Sequence, residues 1–458
     1  MKKIILLTVS LLLVLSARAQ DIQGSWSGTL DAGVMKLLLV FHIEEKEGIY
    51  SATMDISKQG VKDMPATSLA FEDRKLKINM ASLGATYEGL LQNDTVQGKF
   101  MQGIYAFPLT LTKSGVIATR RPQDPVPPYP YNTEEVKFEN KEAGITLAGT
   151  LSWPKEGDSF PAAVLVTGSG PQNRNEELLD HRLFLVLSDH LTRHGIAVLR
   201  YDDRGVAESG GDYDKATLED FSTDVAAAVD YVKTRKEIDR KKIGVIGHSE
   251  GGTIAFMLAG KENSGLAYIV SMAGMAIPGD SLLRMQRYLI FKAANVSDEN
   301  IAQNELFLSR IDSIVNKHSK EYIIQNIDHI TDLLLADSLK RNKELRAESQ
   351  KGIIRMLSPE MISLRNYNPA GALAKIQCPV LAINGEKDLQ VPADANLNRV
   401  KALVKSPVII KKYPELNHLF QHAATGLLME YGLIEETISP DVLTDITDWI
   451  LKDLKFNQ

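Results

Sequence analysis

The chain has 458 residues, more than one hydrophobic core ordinarily holds, so we expect two or three domains. A hydrophobic fraction of 44% and a charged fraction of 24% exclude a largely disordered or membrane-embedded protein. The net charge of −6 becomes −9 without residues 1–19, because that segment carries three basic and no acidic residues. This acidic balance disfavours nucleic acids and anionic membranes as partners.

Residues 1–19 have the composition of a cleavable secretory leader. Lys2 and Lys3 precede the apolar run 4–15, and Ala17-Arg18-Ala19 supplies a cleavage site made of small residues. The apolar run is too short to span a bilayer as a helix, so we expect cleavage after Ala19 and no stable membrane insertion. The sequence therefore predicts a periplasmic or secreted protein.

Residues 20–118 have the pattern of an all-β domain. Short segments such as Lys75–Met80 alternate polar and apolar residues, and turn residues separate them. A small antiparallel barrel or sandwich is the natural closure for such strands. We expect no catalytic role for this domain, since its sequence has no cluster of acids, histidines or serines that looks catalytic.

A proline-rich linker, residues 119–134, leads to a domain of a different kind at 135–458. Five prolines within nine residues favour an extended linker, which Tyr129 and Tyr131 would dock on a neighbouring surface. After it, apolar strands alternate with helical periods, which predicts an α/β domain with a mainly parallel sheet covered on both faces. The predicted strands are 136–140, 146–153, 162–166, 196–200, 242–246, 267–272, 380–383 and 408–411, and the predicted helices outside the insertion described below are 181–194, 218–233, 253–258 and 440–455.

The pentapeptide Gly247-His248-Ser249-Glu250-Gly251 is a G-x-S-x-G motif between a predicted strand and a predicted helix. A serine on so sharp a turn needs neighbours nearly free of side chains two positions away on either side. The turn aims the Ser249 hydroxyl outward at the end of the sheet. It also leaves the backbone N–H of Glu250 free, at the start of a helix, to face a developing oxyanion. The motif therefore predicts a nucleophile.

A long insertion at about 278–366 separates the strands at 267–272 and 380–383. It contains four predicted helices, Leu282–Lys292, Glu299–Val315, Lys320–Leu335 and Leu339–Leu357. A structureless loop of this length is implausible inside a compact domain, so we expect a helical subdomain. Because sites lie at the carboxyl ends of parallel strands, we predict a cap over the nucleophile. A peripheral decoration or a homodimer surface is the alternative.

A serine nucleophile needs a base, and the base needs an orienting carboxylate, in the chain order serine, acid, histidine. Of the nine histidines, only His418 and His422 follow the last predicted strand, and the polar turn before His418 makes it the better base. The acid should end the preceding strand, where Asp388 is the better candidate and Glu386 the alternative.

The second oxyanion donor should come from the glycine-rich loop Thr167–Gln172, which follows the strand at 162–166. The N–H of Ser169 is the preferred donor and that of Gly170 the alternative, while Pro171 has no N–H. The turn Asp202-Asp203-Arg204-Gly205 resembles a structural ion-pair turn more than an acid–base pair. Cys378 leads an apolar run and is expected to be a buried core residue.

No metal and no cofactor are expected. The sequence has no Cys/His group with metal-ligand spacing, no dinucleotide-binding G-x-G-x-x-G loop and no Walker A sequence. The predicted nucleophile, base and acid instead indicate acyl transfer from a small-molecule substrate.

Four segments in order resemble the landmarks of a bacterial branch of the α/β-hydrolase family: 168–172, 199–205, 247–252 and 384–392. The branch is often grouped with the serine aminopeptidases (S33) and prolyl-oligopeptidase-like hydrolases, and the members this chain resembles are carboxylesterases. The resemblance covers about 135–455 and implies an α/β-hydrolase fold with a Ser-Asp-His triad. Many relatives have glycine at the position of Ala207, a difference from which we expect little consequence. The β domain resembles, more loosely, a domain that precedes such hydrolases in exported bacterial proteins.

These observations together predict a secreted or periplasmic serine carboxylesterase that acts on short-acyl esters through Ser249, Asp388 and His418. A peptidase or amidase on the same residues is the first alternative. A binding or assembly protein with a vestigial hydrolase domain is the second.

Overall fold

The computed structural model describes residues 22–31, 36–46, 48–56, 61–102, 105–113, 121–335 and 343–456. The chain divides into two compact units at residues 118 and 119. The predicted leader, 1–19, lies outside the described residues. Within the described ranges, no helix is both long and apolar enough to cross a membrane.

The first unit is a single antiparallel sheet in the described residues, which confirms the all-β prediction. Each strand pairs with its neighbour in sequence, except that β4 and β5 form the two edges and the first strand also pairs with the last. Neighbouring strands are thus connected up and down, and in the described residues the sheet is open between β4 and β5. The strands are β1 (Gly24–Asp31), β2 (Lys36–Lys46), β3 (Ile49–Ile56), β4 (Val61–Pro65), β5 (Ser68–Glu72), β6 (Lys75–Met80), β7 (Ala85–Gln92), β8 (Thr95–Gln102) and β9 (Tyr105–Lys113).

Alternation along these strands builds the core of the first unit. In β6, for example, Leu76, Ile78 and Met80 are buried while Lys75 and Lys77 are exposed. Successive side chains of a strand point to opposite faces, so the apolar face closes over one interior. The largest side chains there are Trp26, Phe41 and Tyr87.

The second unit contains an eight-stranded sheet in the order β10-β11-β15-β12-β16-β17-β18-β19. β11 runs antiparallel to both of its neighbours, β10 and β15, and the other strands pair in parallel, with β12 between β15 and β16. The central strands β12, β15, β17 and β18 are almost entirely buried, as expected of strands covered on both faces by helices. The strands of this unit are β10 (Tyr131–Asn140), β11 (Ile145–Pro154), β12 (Phe160–Val166), the two-residue strands β13 (Glu177–Leu178) and β14 (His181–Arg182), β15 (Ala197–Tyr201), β16 (Ile238–His248), β17 (Tyr268–Met272), β18 (Val380–Gly385) and β19 (Val408–Tyr413).

Helices cover the sheet and build the insertion. The helix at Leu218–Lys233 begins at a capping box, in which Thr217 accepts from the N–H of Asp220 and the Asp220 carboxylate accepts from the N–H of Thr217. The helices are α1 (Leu183–Arg193), α2 (Leu218–Lys233), α3 (Glu250–Ala259), α4 (Gly279–Ala293), α5 (Asp298–Lys317), α6 (Lys320–Gln325), α7 (Ile327–Leu334), α8 (Lys343–Met356), α9 (Pro359–Asn366), α10 (Ala370–Leu373), α11 (Ala393–Leu403), α12 (Leu428–Tyr431) and α13 (Pro440–Phe456).

The insertion between β17 and β18 comprises α4 to α9 and has a small apolar core of its own, centred on Ile311, Ile323 and Ile353. The single helix predicted at Lys320–Leu335 is wrong in one respect, because it is broken at Asn326. This residue has φ −111° and its side chain donates to the carbonyl of Tyr322, so it ends α6 before α7 begins. The first residues of the helix predicted at 339–357 lie outside the described ranges.

The chain that enters β10 is held along the second unit by polar contacts. Arg121 donates to the carbonyls of Leu179 and Gly432, and the ring of Tyr129 stacks on Tyr131. The Tyr131 hydroxyl donates to Asp189 of α1 over 2.8 Å. Cys378 is buried just before β18.

Candidate active site

Ser249 is the single residue between the end of β16 and the start of α3, and it has φ 53° and ψ −117°. A side chain at this φ costs on the order of 1–3 kcal/mol, and such strain persists only where packing enforces it. The two motif glycines enforce it, because a Cβ on Gly247 would lie 2.0 Å from the carbonyl oxygen of Gly251. A Cβ on Gly251 would lie 2.0 Å from the carbonyl oxygen of Val166. The sharp turn therefore requires both glycines.

The structure brings the three residues predicted as nucleophile, base and acid into one hydrogen-bonded chain. His418 Nε2 lies 3.0 Å from Ser249 Oγ, and His418 Nδ1 lies 2.7 Å from Asp388 Oδ2. The Asp388 side chain is fully buried and that of His418 is 5% exposed. The other oxygen of Asp388 accepts the N–H groups of Gln390 and Val391, each over 2.8 Å, which fixes the carboxylate.

The two alternative candidates are engaged elsewhere. Glu386 is half exposed and pairs with Lys412 at 3.3 Å. His422 is 59% exposed and its Nδ1 lies 2.9 Å from the carboxylate of Glu436. Hydrogen bonding to Ser249 thus favours His418 over His422, and hydrogen bonding to His418 favours Asp388 over Glu386.

The loop after β12 presents one backbone N–H without a partner among the described residues. Gly168 donates to the carboxylate of Glu176 over 2.7 Å, and Gly170 donates to the hydroxyl of Tyr213 over 2.8 Å. The N–H of Ser169, between them, has no acceptor in the described part of the chain. Ser169 and Glu250 both line the cavity that contains Ser249.

This cavity has a volume of about 230 Å³, and residues of the insertion contribute to its lining. Side chains of α4, α8 and α9 line it opposite the nucleophile, among them Leu282, Gln286, Arg355 and Met361. The insertion therefore lines part of the cavity that contains Ser249. A larger cavity of 680 Å³ lies at the opposite, amino-terminal ends of β16 and β17, where no residue of the hydrogen-bonded chain is found.

Two carboxyl groups that line the nucleophile's cavity each have one oxygen without a hydrogen-bond partner in the described residues, and Glu360 also binds the Tyr213 hydroxyl. Glu250 is 6% exposed and Glu360, on α9, is 7% exposed. Glu250 Oε2 and Glu360 Oε1 are buried and accept no hydrogen bond within the described residues. Burial, with the nearby carboxyls of Glu360 and Asp203, raises the pKa of Glu250 well above its usual range.

The predicted ion-pair turn at Asp202–Gly205 is structural, but Arg204 pairs with neither neighbouring aspartate. Arg204 Nε binds Asp224 of α2 over 2.7 Å, and Asp202 binds Arg174 over 2.7 Å. Neighbours along a strand end point apart, so each finds a partner on a different element. Asp203 instead accepts from the Thr167 hydroxyl, and burial raises the pKa of Asp203 to about 8.

The sequence predicted no cluster of acids, histidines or serines in the β domain that looks catalytic. For side-chain contacts this prediction is wrong. Ser25, His42 and Asp55, on the adjacent strands β1, β2 and β3, form a second serine–histidine–aspartate chain. Ser25 Oγ lies 2.9 Å from His42 Nδ1, and His42 Nε2 lies 2.9 Å from Asp55 Oδ2. The residues are distant in sequence, and only the register that pairs Ser25 with His42 brings them together.

Sequence reasoning also missed Glu176, whose carboxylate binds both the loop after β12 and His248. The two side chains are 72 positions apart and no motif includes Glu176. His248 is inside the G-x-S-x-G motif, but the motif requires no particular residue at that position, so it gave no sign of a partner.

The chain matches a known family over more than half of its length. Residues 181–422 match the family model described as serine aminopeptidase, S33. The chain belongs to this family of α/β hydrolases. The sequence-based assignment of family, fold and hydrolase class is thereby confirmed.

Relatives and solved structures with similar chains include several esterases. Esterase EstD of Thermotoga maritima is 25% identical over 433 residues, which cover 91% of this chain and 94% of that protein. Est1E from Butyrivibrio proteoclasticus, solved with ferulic acid bound, is 18% identical and covers 70% of this chain and 99% of its own, with a TM-score of 0.42. An esterase of Pyrococcus furiosus is 15% identical, covering 71% of this chain and 91% of its own, also with a TM-score of 0.42.

Proposed function

We propose that this protein is a serine carboxylesterase that cleaves short-acyl esters through an acyl-enzyme on Ser249. The observation that supports this best is the hydrogen-bonded chain from Ser249 Oγ to His418 Nε2 at 3.0 Å and from His418 Nδ1 to Asp388 at 2.7 Å. Its order and geometry are those that activate a serine hydroxyl for acyl transfer.

In the proposed reaction, Ser249 Oγ attacks the ester carbonyl carbon while His418 Nε2 takes the hydroxyl proton. Asp388 holds the imidazole with Nδ1 protonated and stabilises the imidazolium that forms. His418 then gives its proton to the leaving alcohol as the tetrahedral intermediate collapses. Water, activated in the same way, attacks the acyl-enzyme and releases the carboxylic acid.

The backbone N–H groups of Glu250, which follows Ser249, and of Ser169 would bind the oxyanion. Both are free of other acceptors in the described residues, whereas the N–H groups of Gly168 and Gly170 are already engaged. Each such donor contributes about 3 kcal/mol to the stability of the transition state.

An ester with a small acyl group fits the cavity better than a bulky one. The volume of about 230 Å³ is bounded by Leu282, Met361 and Leu364 of the insertion, which offer apolar contacts to a short chain. The relationship to Esterase EstD across most of both chains points to the same leaving-group class.

The proposal is tested with p-nitrophenyl acetate, butyrate and octanoate. We expect the shorter esters to be turned over faster and Ser249→Ala to lower kcat by about 10⁶-fold without loss of Tm. Ser25→Ala is the matched control, since it removes a serine hydroxyl from the same kind of hydrogen-bonded chain, and it should leave kcat unchanged. Full activity in Ser249→Ala would refute the proposal.

Aminopeptidase activity is a second candidate, because of Glu250 and Glu360. Two buried carboxyls beside the nucleophile, each with one oxygen that has no partner in the described residues, would bind a protonated amino terminus if they ionise upon its arrival. Rates on alanine and proline p-nitroanilides against rates on the acyl esters decide between the two functions. If the peptidase is the true activity, Glu360→Gln lowers kcat/KM on the anilides far more than on the esters; equal effects on both contradict it.

We also propose that the protein acts outside the cytoplasm, after removal of residues 1–19. The basic start, apolar run and Ala17-Arg18-Ala19 site support this. Amino-terminal sequencing of the expressed protein from a periplasmic extract or culture medium should begin at Gln20. Recovery of an intact amino terminus from the cytoplasm alone would contradict export.

A further inference from the structure

His248 connects the two sides of the candidate site through its imidazole. Its Nδ1 lies 2.7 Å from Glu176 Oε1, and its Nε2 lies 3.0 Å from the backbone carbonyl oxygen of His418. The ring is 3% exposed and its centroid lies 4.9 Å from that of His418. His248 therefore contacts the residue proposed as the base without touching the reacting atoms.

Glu176 extends this connection to the loop after β12. The same oxygen, Oε1, accepts the N–H of Gly168 over 2.7 Å. A Cβ on Gly168 would lie 3.0 Å from Glu176 Oε1 and 3.3 Å from the Cβ of Ser249, so the loop is closely fitted against both. Because Gly168 donates to Glu176, the next N–H along the loop, that of Ser169, is left for the cavity.

We propose that Glu176 and His248 form a charged positioning pair that holds the oxyanion loop and the general base in register with Ser249. This inference rests on the proposed function, in which Ser169 and His418 act on the reacting carbonyl. Neither member of the pair is a catalytic residue, since each acts through another group. No motif of the sequence indicates this role for Glu176.

When Glu176 is ionised, both hydrogen-bond partners of His248 are acceptors, so both ring nitrogens carry hydrogen. A carbonyl oxygen only accepts, so Nε2 must donate to His418. Glu176 Oε1 already accepts from Gly168, and Nδ1 completes its coordination by donating to it. An imidazolium facing a carboxylate satisfies all three hydrogen bonds at once.

The surroundings of His248 favour this charged form. Burial acts to lower the pKa of His248, but the Glu176 carboxylate, the His418 carbonyl and the Asp388 carboxylate together outweigh it and raise that pKa. The other groups against the ring are the His418 imidazole and the apolar ring of Phe420. Of the groups that raise this pKa, Glu176 contributes most.

Glu176→Gln removes the charge of the pair and nearly preserves its shape. Without the carboxylate, burial lowers the pKa of His248, so a neutral imidazole at neutral pH loses one of its two hydrogen bonds. The loop or the base then shifts, and a displacement of about 1 Å at a reacting group can cost about 10²-fold in rate. We expect kcat on p-nitrophenyl butyrate to fall by that order with KM little changed, because substrate contacts in the cavity remain.

Lower pH should restore protonation of His248 in Glu176→Gln. The ratio of variant to wild-type kcat is therefore expected to rise as the pH falls from about 8 to about 5. His248→Gln should lose a similar factor without this pH dependence. The double variant should be no worse than the poorer single variant, because the two residues act as one unit.

The chain offers a matched control in Glu436. Its carboxylate also accepts from a histidine Nδ1 and a backbone N–H, both of His422, but this pair is on the surface. Glu436→Gln should leave kcat and its pH profile unchanged. If Glu176→Gln behaves like Glu436→Gln, or if its kcat ratio is independent of pH, the positioning pair is overturned.

A measurement without substrate separates this inference from the proposed function. In protein labelled with ¹⁵N at its nine histidines, His248 should show two protonated ring nitrogens at neutral pH, identified by loss of the signal in His248→Gln. That signature should vanish in Glu176→Gln and persist in Glu436→Gln. A neutral imidazole in the wild-type protein contradicts the pair, whatever esters the enzyme cleaves. Inactivity on every ester with the imidazolium present contradicts the esterase alone.

Discussion

The protein contains two serine–histidine–aspartate chains with similar distances and very different surroundings. In the second unit Ser249, His418 and Asp388 are joined at 3.0 and 2.7 Å, and in the first unit Ser25, His42 and Asp55 are joined at 2.9 and 2.9 Å. Distances between the three side chains therefore do not distinguish a candidate catalytic site from a polar cross-strand contact.

Burial is one difference between the two chains. The side chains of His418 and Asp388 are 5% and 0% exposed, while those of His42 and Asp55 are 26% and 24% exposed. Water competes for the hydrogen bonds of the exposed chain and screens its charges. The exposed carboxylate therefore stabilises an imidazolium less than the buried carboxylate does. The ring is also reversed, since the serine faces Nδ1 of His42 but Nε2 of His418.

The backbone is the second difference. Ser25 lies inside the regular strand β1, whose N–H groups are directed along the sheet towards neighbouring strands. Ser249 has φ 53° at the start of a helix, where the first N–H groups have no intrahelical acceptor. The strained turn and its N–H donors, rather than the three side chains, therefore distinguish the proposed site of acyl transfer from the contact in the first unit.

The largest expected effect comes from breaking each chain at its acid. Asp388→Asn should lower kcat on p-nitrophenyl butyrate by about 10⁴-fold, because the imidazole then favours the wrong tautomer. Asp55→Asn makes the same substitution in the exposed chain and should change kcat less than about twofold. Glu386→Gln should likewise be harmless. A large loss in either control, or none in Asp388→Asn, would reverse the assignment of the two chains.

The next effect comes from removing a backbone donor that the exposed chain lacks. Ser169→Pro deletes the N–H proposed for the oxyanion hole and should lower kcat by about 10² to 10³-fold. Ser169→Ala keeps the N–H and removes only the exposed hydroxyl, so it should retain wild-type kcat. Tm values of both variants show whether the loop is still folded. Similar rates for the two variants would exclude Ser169 as a donor.

A smaller effect concerns stability, since the second unit buries ionisable groups behind its site. The pKa of Asp203 is raised to about 8, so the folded protein holds a proton there that the unfolded chain releases near pH 4. Folding stability contributed by this group is therefore present at low pH and is lost as the pH rises between about 4 and 8.

Asp203→Asn tests this pH dependence. The variant has no proton to lose. Its free energy of unfolding relative to wild type should therefore increase by roughly 1.4 kcal/mol per pH unit from about pH 5 to about pH 8, and its relative Tm should rise with it. The control is Asp212→Asn, an exposed aspartate whose pKa is lowered by Lys215. A Tm difference for Asp203→Asn that is independent of pH would show that Asp203 is ionised in the folded protein.

The smallest expected effect comes from Ala207, whose strained backbone has no proposed function, in contrast to that of Ser249. Ala207 has φ 46°, in the left-handed region that favours glycine. Left-handed backbone costs about 1–2 kcal/mol for alanine, and the added freedom of glycine in the unfolded chain offsets about 0.4–1 kcal/mol. Ala207→Gly should therefore raise the stability by about 1 kcal/mol with kcat unchanged, as thermal unfolding and ester turnover would show. A lower Tm would contradict this reading.

Much of the second unit could be predicted because local signals agreed with the tertiary structure. The helix predicted at 218–233 has the observed ends, since Thr217 and Asp220 fix its start by themselves. The G-x-S-x-G motif placed Ser249 on its turn for a steric reason that the glycines alone supply. The order serine, acid, histidine then left few candidates for the other two positions.

The parts that could not be predicted depend on contacts between distant segments. Ser25, His42 and Asp55 meet only through strand register, which alternation of polar and apolar residues does not specify. Glu176 finds His248 across 72 positions, through a loop with no regular pattern. The helix α11 at Ala393–Leu403 went unpredicted because tertiary packing, rather than a clear start signal, determines its position.

Covalent labelling with a fluorophosphonate probe tests most directly the claim that only one of the two serines is a nucleophile. We predict one adduct per chain by intact mass, located at Ser249 by peptide mapping, abolished in Ser249→Ala and retained in Ser25→Ala. An adduct on Ser25, or labelling that persists in Ser249→Ala, would contradict the account.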